Sequence, residues 1–153
     1  MKQGFVKVAS ATPRIRVADP VYNAQVICEQ AKEAAEHGAK IVVFPELCIT
    51  GYTCNDLFLQ ELLLEKAKEA LLTIAEETGQ LETLFLVGLP VDKDGRLYNV
   101  AAVLYRGRIL GMIPKKNIPM YAEFYEGRHF TPGEETVTEY RLGKQVIPFG
   151  SNL

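Results

Sequence analysis

The run Ile41-Val42-Val43-Phe44-Pro45-Glu46-Leu47 sets the architecture of this 153-residue chain. Four apolar residues in a row suit a strand buried on both faces. Pro45 carries no amide proton and so ends a sheet ladder. Glu46 then falls at the rim where strand gives way to loop, and the rims of α/β sheets are where ligands bind. On its own, Glu46 reads as a solvated loop carboxylate. Its surroundings decide whether it is more than that.

On the N-terminal side, Asp19 followed by Pro20 predicts a helix start: an acceptor side chain at the N-cap, then a residue with a preset φ. The helix is expected over residues 20–37. Ala24, Ile27, Cys28, Ala31, Ala34 and Ala35 recur at three- and four-residue steps along one face. Gly38 ends it as a left-handed cap. Before it, Met1-Lys2-Gln3-Gly4-Phe5-Val6 leads directly into a strand pattern, with the strand placed at residues 5–11. Residues 39–44 form the second strand. Strand, helix and strand within about forty residues make a crossover unit, so the two strands should be parallel.

On the C-terminal side, a loop turns at Gly51, and Asn55 or Asp56 can cap a second helix that reaches about Thr78. Leu63, Leu64, Ala67, Leu71, Ile74 and Ala75 share its apolar face, and Gly79 closes it. Residues 84–89 read as a strand. Asp92-Lys93-Asp94-Gly95 is a hairpin signal. Residues 97–105 and 108–113 follow as strands around the tight turn Arg106-Gly107. Residues 120–130 read as an aromatic loop with a short helical turn, and residues 137–141 and 145–148 as a last short hairpin. A crossover unit that passes into antiparallel strands predicts a mixed sheet with helices on one face, an α/β layer.

Composition narrows the function classes. An apolar fraction of 48% is enough for a packed core, and the length suits one domain. A net charge of −2 argues against nucleic-acid binding, which needs a basic face. No apolar run approaches the ~20 residues needed to span a bilayer, so no membrane partner is expected. Three cysteines without metal or disulfide spacing, and no leader pattern at the start, point to a reducing cytoplasm.

Lys115 follows Pro114 at the end of the fifth strand, as Glu46 follows Pro45 at the end of the second. Two strand ends can thus bring an acid and a cation to one rim. The lysine would stabilise developing negative charge, and a carboxylate kept from water would act as a general base. The plainer reading makes Lys115 and Lys116 a solvated loop pair. His37 at a helix end is favoured by the helix dipole rather than by catalysis. His129 reads as surface, and Tyr121, Phe124 and Tyr125 as packing.

Phe44-Pro45-Glu46-Leu47, then Gly51-Tyr52, then Pro114-Lys115 with Pro119, Tyr121, Glu123-Phe124-Tyr125-Glu126 and Phe130 resemble the nitrilase superfamily of carbon–nitrogen hydrolases. The branch most similar is the glutamine-amidase domain at the N-terminus of glutamine-dependent NAD synthetases. The resemblance covers the whole chain, and residues 114–126 are its most specific piece. It implies the N-terminal part of an α-β-β-α sandwich, here a mixed sheet with two main helices, in a single partial domain over residues 1–153.

The resemblance also implies a Glu-Lys-Cys mechanism. Glu46 matches the general base, Lys115 the cation that stabilises the tetrahedral oxyanion, and Glu123 the second glutamate that orients the lysine and substrate. Tyr52 and Tyr121 match the glutamine pocket. The substrate implied is glutamine, whose amide would be hydrolysed to supply ammonia for NAD synthesis, in a homo-oligomer. The family's cysteine lies on a strand beyond the lysine motif and has no match here. Cys28 reads as core. Cys48 stands two residues after Glu46, away from the nucleophile's place in the motif order, and Cys54 follows in the loop. The 153 residues alone are therefore expected to be inactive. The synthetase domain is absent too, so ATP, Mg and deamido-NAD have no site in this chain and no cofactor is expected. The alternatives are another nitrilase-type amidase acting on a different C–N bond, or a non-catalytic assembly piece with an uncovered apolar sheet face.

Overall fold

The computed structural model describes residues 4–153; the strand pattern read at Met1, Lys2 and Gln3 lies outside the described residues. Seven strands form one mixed sheet in the order β1-β2-β3-β4-β5-β7-β6. They are β1 (Val8–Ser10), β2 (Ile41–Val43), β3 (Leu84–Lys93), β4 (Arg96–Tyr105), β5 (Arg108–Pro114), β6 (Thr138–Leu142) and β7 (Gln145–Phe149). Two helices, α1 (Pro20–Glu36) and α2 (Glu61–Glu77), complete the layer.

The crossover unit forms as expected, with β1 and β2 parallel and β2 parallel to β3. Strands β3, β4 and β5 then run antiparallel in sequence. Their turns place Asp94 and Gly95, then Arg106 and Gly107, at positive φ, the geometry whose twist matches flanking strands. The last hairpin joins the sheet through β7, which runs parallel to β5.

In α1, the Asp19 carboxylate accepts the Tyr22 amide at 3.1 Å, and Gly38 at φ 84° closes the far end. Ala24, Ile27, Cys28 and Ala31 are buried as the spacing predicts, while Ala34 and Ala35 at the helix end are half-buried. All six residues expected on the α2 face are buried. Neither Asn55 nor Asp56 caps α2. A 3-10 turn over Asn55–Leu59 intervenes, and Gln60 stands at the N-cap without a side-chain bond. Asp56 instead faces Arg128 and His129 across the loops.

Both helices cover one face of the sheet, and Val42, Phe85, Val87, Leu89, Val100, Ala102 and Leu104 meet them in one core. The strand around Val43 is covered on one face only: Val42 is fully buried and Val43 is 44% exposed. On the face away from the helices, Leu86, Ala101, Val103 and Ile113 are half-buried. Only β2's helix side is packed, so the apolar run is an open sheet face rather than a doubly buried strand. The first strand is also shorter than expected, with Phe5 and Val6 exposed ahead of it.

Candidate active site

The site grows from the C-terminal end of β2. The Phe44 amide makes the last ladder bond, to the Leu86 carbonyl at 2.9 Å, and Pro45 stops the ladder. The chain then crosses β3 over Gly88. A Cβ there would lie 2.4 Å from the Leu47 amide nitrogen and 2.7 Å from the Pro45 carbonyl. Only glycine admits backbone this close. Leu47 adopts φ 53°, and its carbonyl takes the amides of Thr50 and Gly51, which knots the loop tightly. Leu47 is buried in a small second core with Cys54, Phe58, Leu63 and Phe130. Glu46 is thus held between an anchored leucine and a strand end, with its side chain 41% exposed.

Lys115 follows β5 directly. Its amide donates to the Asn99 carbonyl on β4 at 2.7 Å, and its own carbonyl takes the Gly133 amide at 2.9 Å. The Lys115 ammonium lies 2.8 Å from Glu46 Oε1 and 2.9 and 3.0 Å from Glu126 Oε1 and Oε2. The two strand ends therefore do meet. Asn99 also donates its side-chain amide to Glu46 Oε1, and Tyr52 donates its hydroxyl to Glu126 Oε1 at 2.8 Å.

The carboxylate on Lys115 opposite Glu46 is that of Glu126. Glu123, expected there, is exposed and is not among the partners of Lys115. It lines a cavity of about 180 Å³ together with Tyr52, Glu126 and the Phe58 and Phe130 rings. The local fold explains the difference. Residues 126–128 make a 3-10 turn, and the Glu126 carbonyl accepts the amides of His129 and Phe130. Phe130 is buried in the second core, so the turn that carries it inward carries Glu126 with it. Tyr121, expected in a substrate pocket, is 68% exposed and packs edge-on against Phe124. Lys116 pairs with Glu135 at the surface.

Electrostatics fit one cation shared by two acids. Burial opposes the Lys115 charge, but the hydrogen bonds it donates to Glu46 and Glu126 outweigh it and raise its pKa above the ordinary lysine value. The lysine stays protonated. The Tyr52 hydroxyl is pushed up by desolvation and by its bond to Glu126, so it remains a neutral donor. Glu46, Asn99 and Lys115 border a groove of about 350 Å³ whose floor is the open sheet face at Val43, Leu86, Ala101 and Ile113. The arrangement can take a proton on a partly exposed carboxylate and offer a fixed positive charge beside it.

The cysteines face elsewhere. Cys48 is buried and points its thiol at the Gly88 carbonyl, and burial pushes its pKa up to about 11. Cys28 is likewise pushed up by burial to about 11. Cys54 is buried under the Thr50 and Gly51 carbonyls and is raised by desolvation. A nucleophilic thiol needs a lowered pKa and access. None of the three has either.

Residues 7–151 match the carbon-nitrogen hydrolase family, and the chain belongs to that family. It is 38% identical over 152 residues to the glutamine-dependent NAD(+) synthetase of Mycobacterium tuberculosis, covering 99% of this chain and 22% of that protein. Among solved structures, it resembles a glutamine-dependent NAD(+) synthetase from Cytophaga hutchinsonii, with a TM-score of 0.88, 29% identity, and coverage of 94% of this chain and 25% of that one. An amidase from Nesterenkonia sp. shares the fold, with a TM-score of 0.69 at 24% identity over 94% of this chain and 54% of that one. The chain thus spans about a fifth to a quarter of the NAD synthetases it matches. Its sheet and two helices are the N-terminal part of the nitrilase fold.

Proposed function

We propose that this chain is the acid–base half of a glutamine-hydrolysing domain that supplies ammonia for NAD synthesis. The observation that carries the reading is the Lys115 ammonium held within 3.0 Å of both Glu46 and Glu126 at the open end of the sheet. The NAD synthetase relatives support glutamine as the substrate.

In this reading Glu46 takes the proton from a cysteine thiol that lies outside these 153 residues. The thiolate attacks the side-chain amide carbon of glutamine. Lys115 stabilises the oxyanion that forms. The C–N bond then breaks, and the proton held by Glu46 leaves with ammonia. Water hydrolyses the thioester to glutamate and regenerates the thiol. Glu126 takes the lysine-orienting role that the sequence motif had suggested for Glu123, and Tyr52 supports Glu126. Glu123 and Tyr121 are left as rim residues. The open apolar face is covered by the rest of an α-β-β-α sandwich, within a cytoplasmic homo-oligomer.

Ammonia release tests this. The 153-residue chain should release none from glutamine. The full-length protein should release it, with the rate falling at least about 100-fold in Glu46→Gln or Lys115→Met. Activity of the 153 residues alone that vanishes on Cys48→Ala would overturn the assignment. So would a full-length protein that hydrolyses a simple aliphatic amide and ignores glutamine.

A further inference from the structure

We propose that Asn99 is a positioning residue that reserves one oxygen of Glu46, Oε2, as the proton acceptor. The inference rests on Glu46 being the general base and adds which atom acts and what aims it.

A carboxylate oxygen offers about two in-plane acceptor positions. Glu46 Oε1 fills both, one with the Asn99 side-chain amide and one with the Lys115 ammonium. Glu46 Oε2 accepts no hydrogen bond from any described residue. Protonating Oε1 would break a bond to an amide or to an ammonium. Protonating Oε2 breaks none, so the proton goes there.

Asn99 is placed to enforce this. It lies inside β4, a strand paired on both sides, and is 3% exposed. A buried amide costs stability unless it is hydrogen-bonded, and an apolar residue would suit an inner strand position better on packing grounds alone. The same residue also fixes the other end of the ion pair, because its carbonyl takes the Lys115 amide at 2.7 Å. One rigid residue therefore sets both the carboxylate plane, through its side chain, and the lysine's anchor, through its backbone. Asn99→Leu removes the first function and keeps the second.

The test has two independent readouts. In the 153-residue chain, NMR of the Glu46 γ-methylene should show one ordered rotamer in the wild type. Asn99→Leu should average it, while the β4–β5 amide resonances stay in place. In the full-length protein, kcat for glutamine should fall about 10- to 100-fold with KM changed less than about twofold, a fraction of what a general base contributes. Asn99→Ser, smaller and still polar but too short to reach Glu46, should do the same and serves if the leucine variant does not fold. An ordered Glu46 in both variants would overturn the proposal, as would a rise in KM with kcat unchanged. If the wild-type full-length protein releases no ammonia, the proposed function falls, and the NMR readout still decides the role of Asn99.

Discussion

Lys115 stands between two carboxylates of very different exposure. The Glu46 side chain is 41% exposed and that of Glu126 only 5%. Glu126 is the one charged residue among the described residues that are buried, and such a group is kept only with full partners. It has them in Lys115 and Tyr52. Glu126→Gln should therefore cost about 1.5–3 kcal/mol in urea unfolding, the range for hydrogen bonds to a charged group that is taken away. The exposed Glu123→Gln should stay within about 0.5 kcal/mol. Equal costs at the two positions would contradict the placement of Glu126 on the lysine. Tyr52→Phe should cost about 1.5–3 kcal/mol by the same argument. The cysteines give a third check at this scale. A thiol reagent at pH 8 should leave Cys28, Cys48 and Cys54 unlabelled for as long as the fold holds, and label all three in denaturant, because each is buried with a raised pKa.

At the level of elements, the site depends on two close backbone crossings. One is the loop at residues 45–47 over Gly88. The other is Gly133 against Pro114, where a Cβ would stand 2.5 Å from the Pro114 carbonyl. Gly88→Ala should force the loop off the sheet. It should cost about 1–3 kcal/mol, as overpacking does, and Lys115 should lose its contact with Glu46. A crystal structure or a urea midpoint unchanged by the substitution would show that the loop can give. Much of this geometry was legible beforehand. Pro45 and Pro114 marked the two strand ends, and the Asp-Gly and Arg-Gly turns marked the meander, because each acts through local backbone chemistry. Glu123 and Glu126 could not be separated by motif reading, since both sit in one aromatic loop. The usable signal was the four-residue step from Glu126 to Phe130, which places both on one side of a helical turn. That step matters only once Phe130 is known to be buried. Asn99 gave no signal at all. An asparagine inside a strand becomes informative only when its partner from a distant loop is seen. Over residues 41–44, periodicity reports an apolar strand but not how many of its faces are covered.

For the molecule as a whole, the Cys28 and Cys48 thiols, Lys115 and Tyr52 pull stability in one direction. Cys28 and Cys48 are pushed from 9.0 to about 11, chiefly by burial. Lys115 is raised against its burial by two carboxylates, and Tyr52 is raised by desolvation and Glu126. A group whose folded pKa lies above its unfolded value contributes fully below the unfolded value. That contribution is lost as pH climbs through the folded one, because the unfolded chain then holds fewer protons. The two thiols therefore define the first window, from about pH 9 to about pH 11, at about 1.4 kcal/mol per pH unit each. Lys115 and Tyr52 extend the loss above the ordinary lysine and tyrosine range. Urea unfolding followed from pH 7 to 11 should show a level stability up to about pH 8.5 and then a fall. The fall should become shallower by about 1.4 kcal/mol per pH unit in Cys48→Ala, even though that variant starts less stable at neutral pH. A slope that stays the same would mean that the Cys48 thiol ionises as readily in the folded protein as in the unfolded chain. Cys48 would then be reachable by water and a base, and would stand as a candidate nucleophile two residues from Glu46.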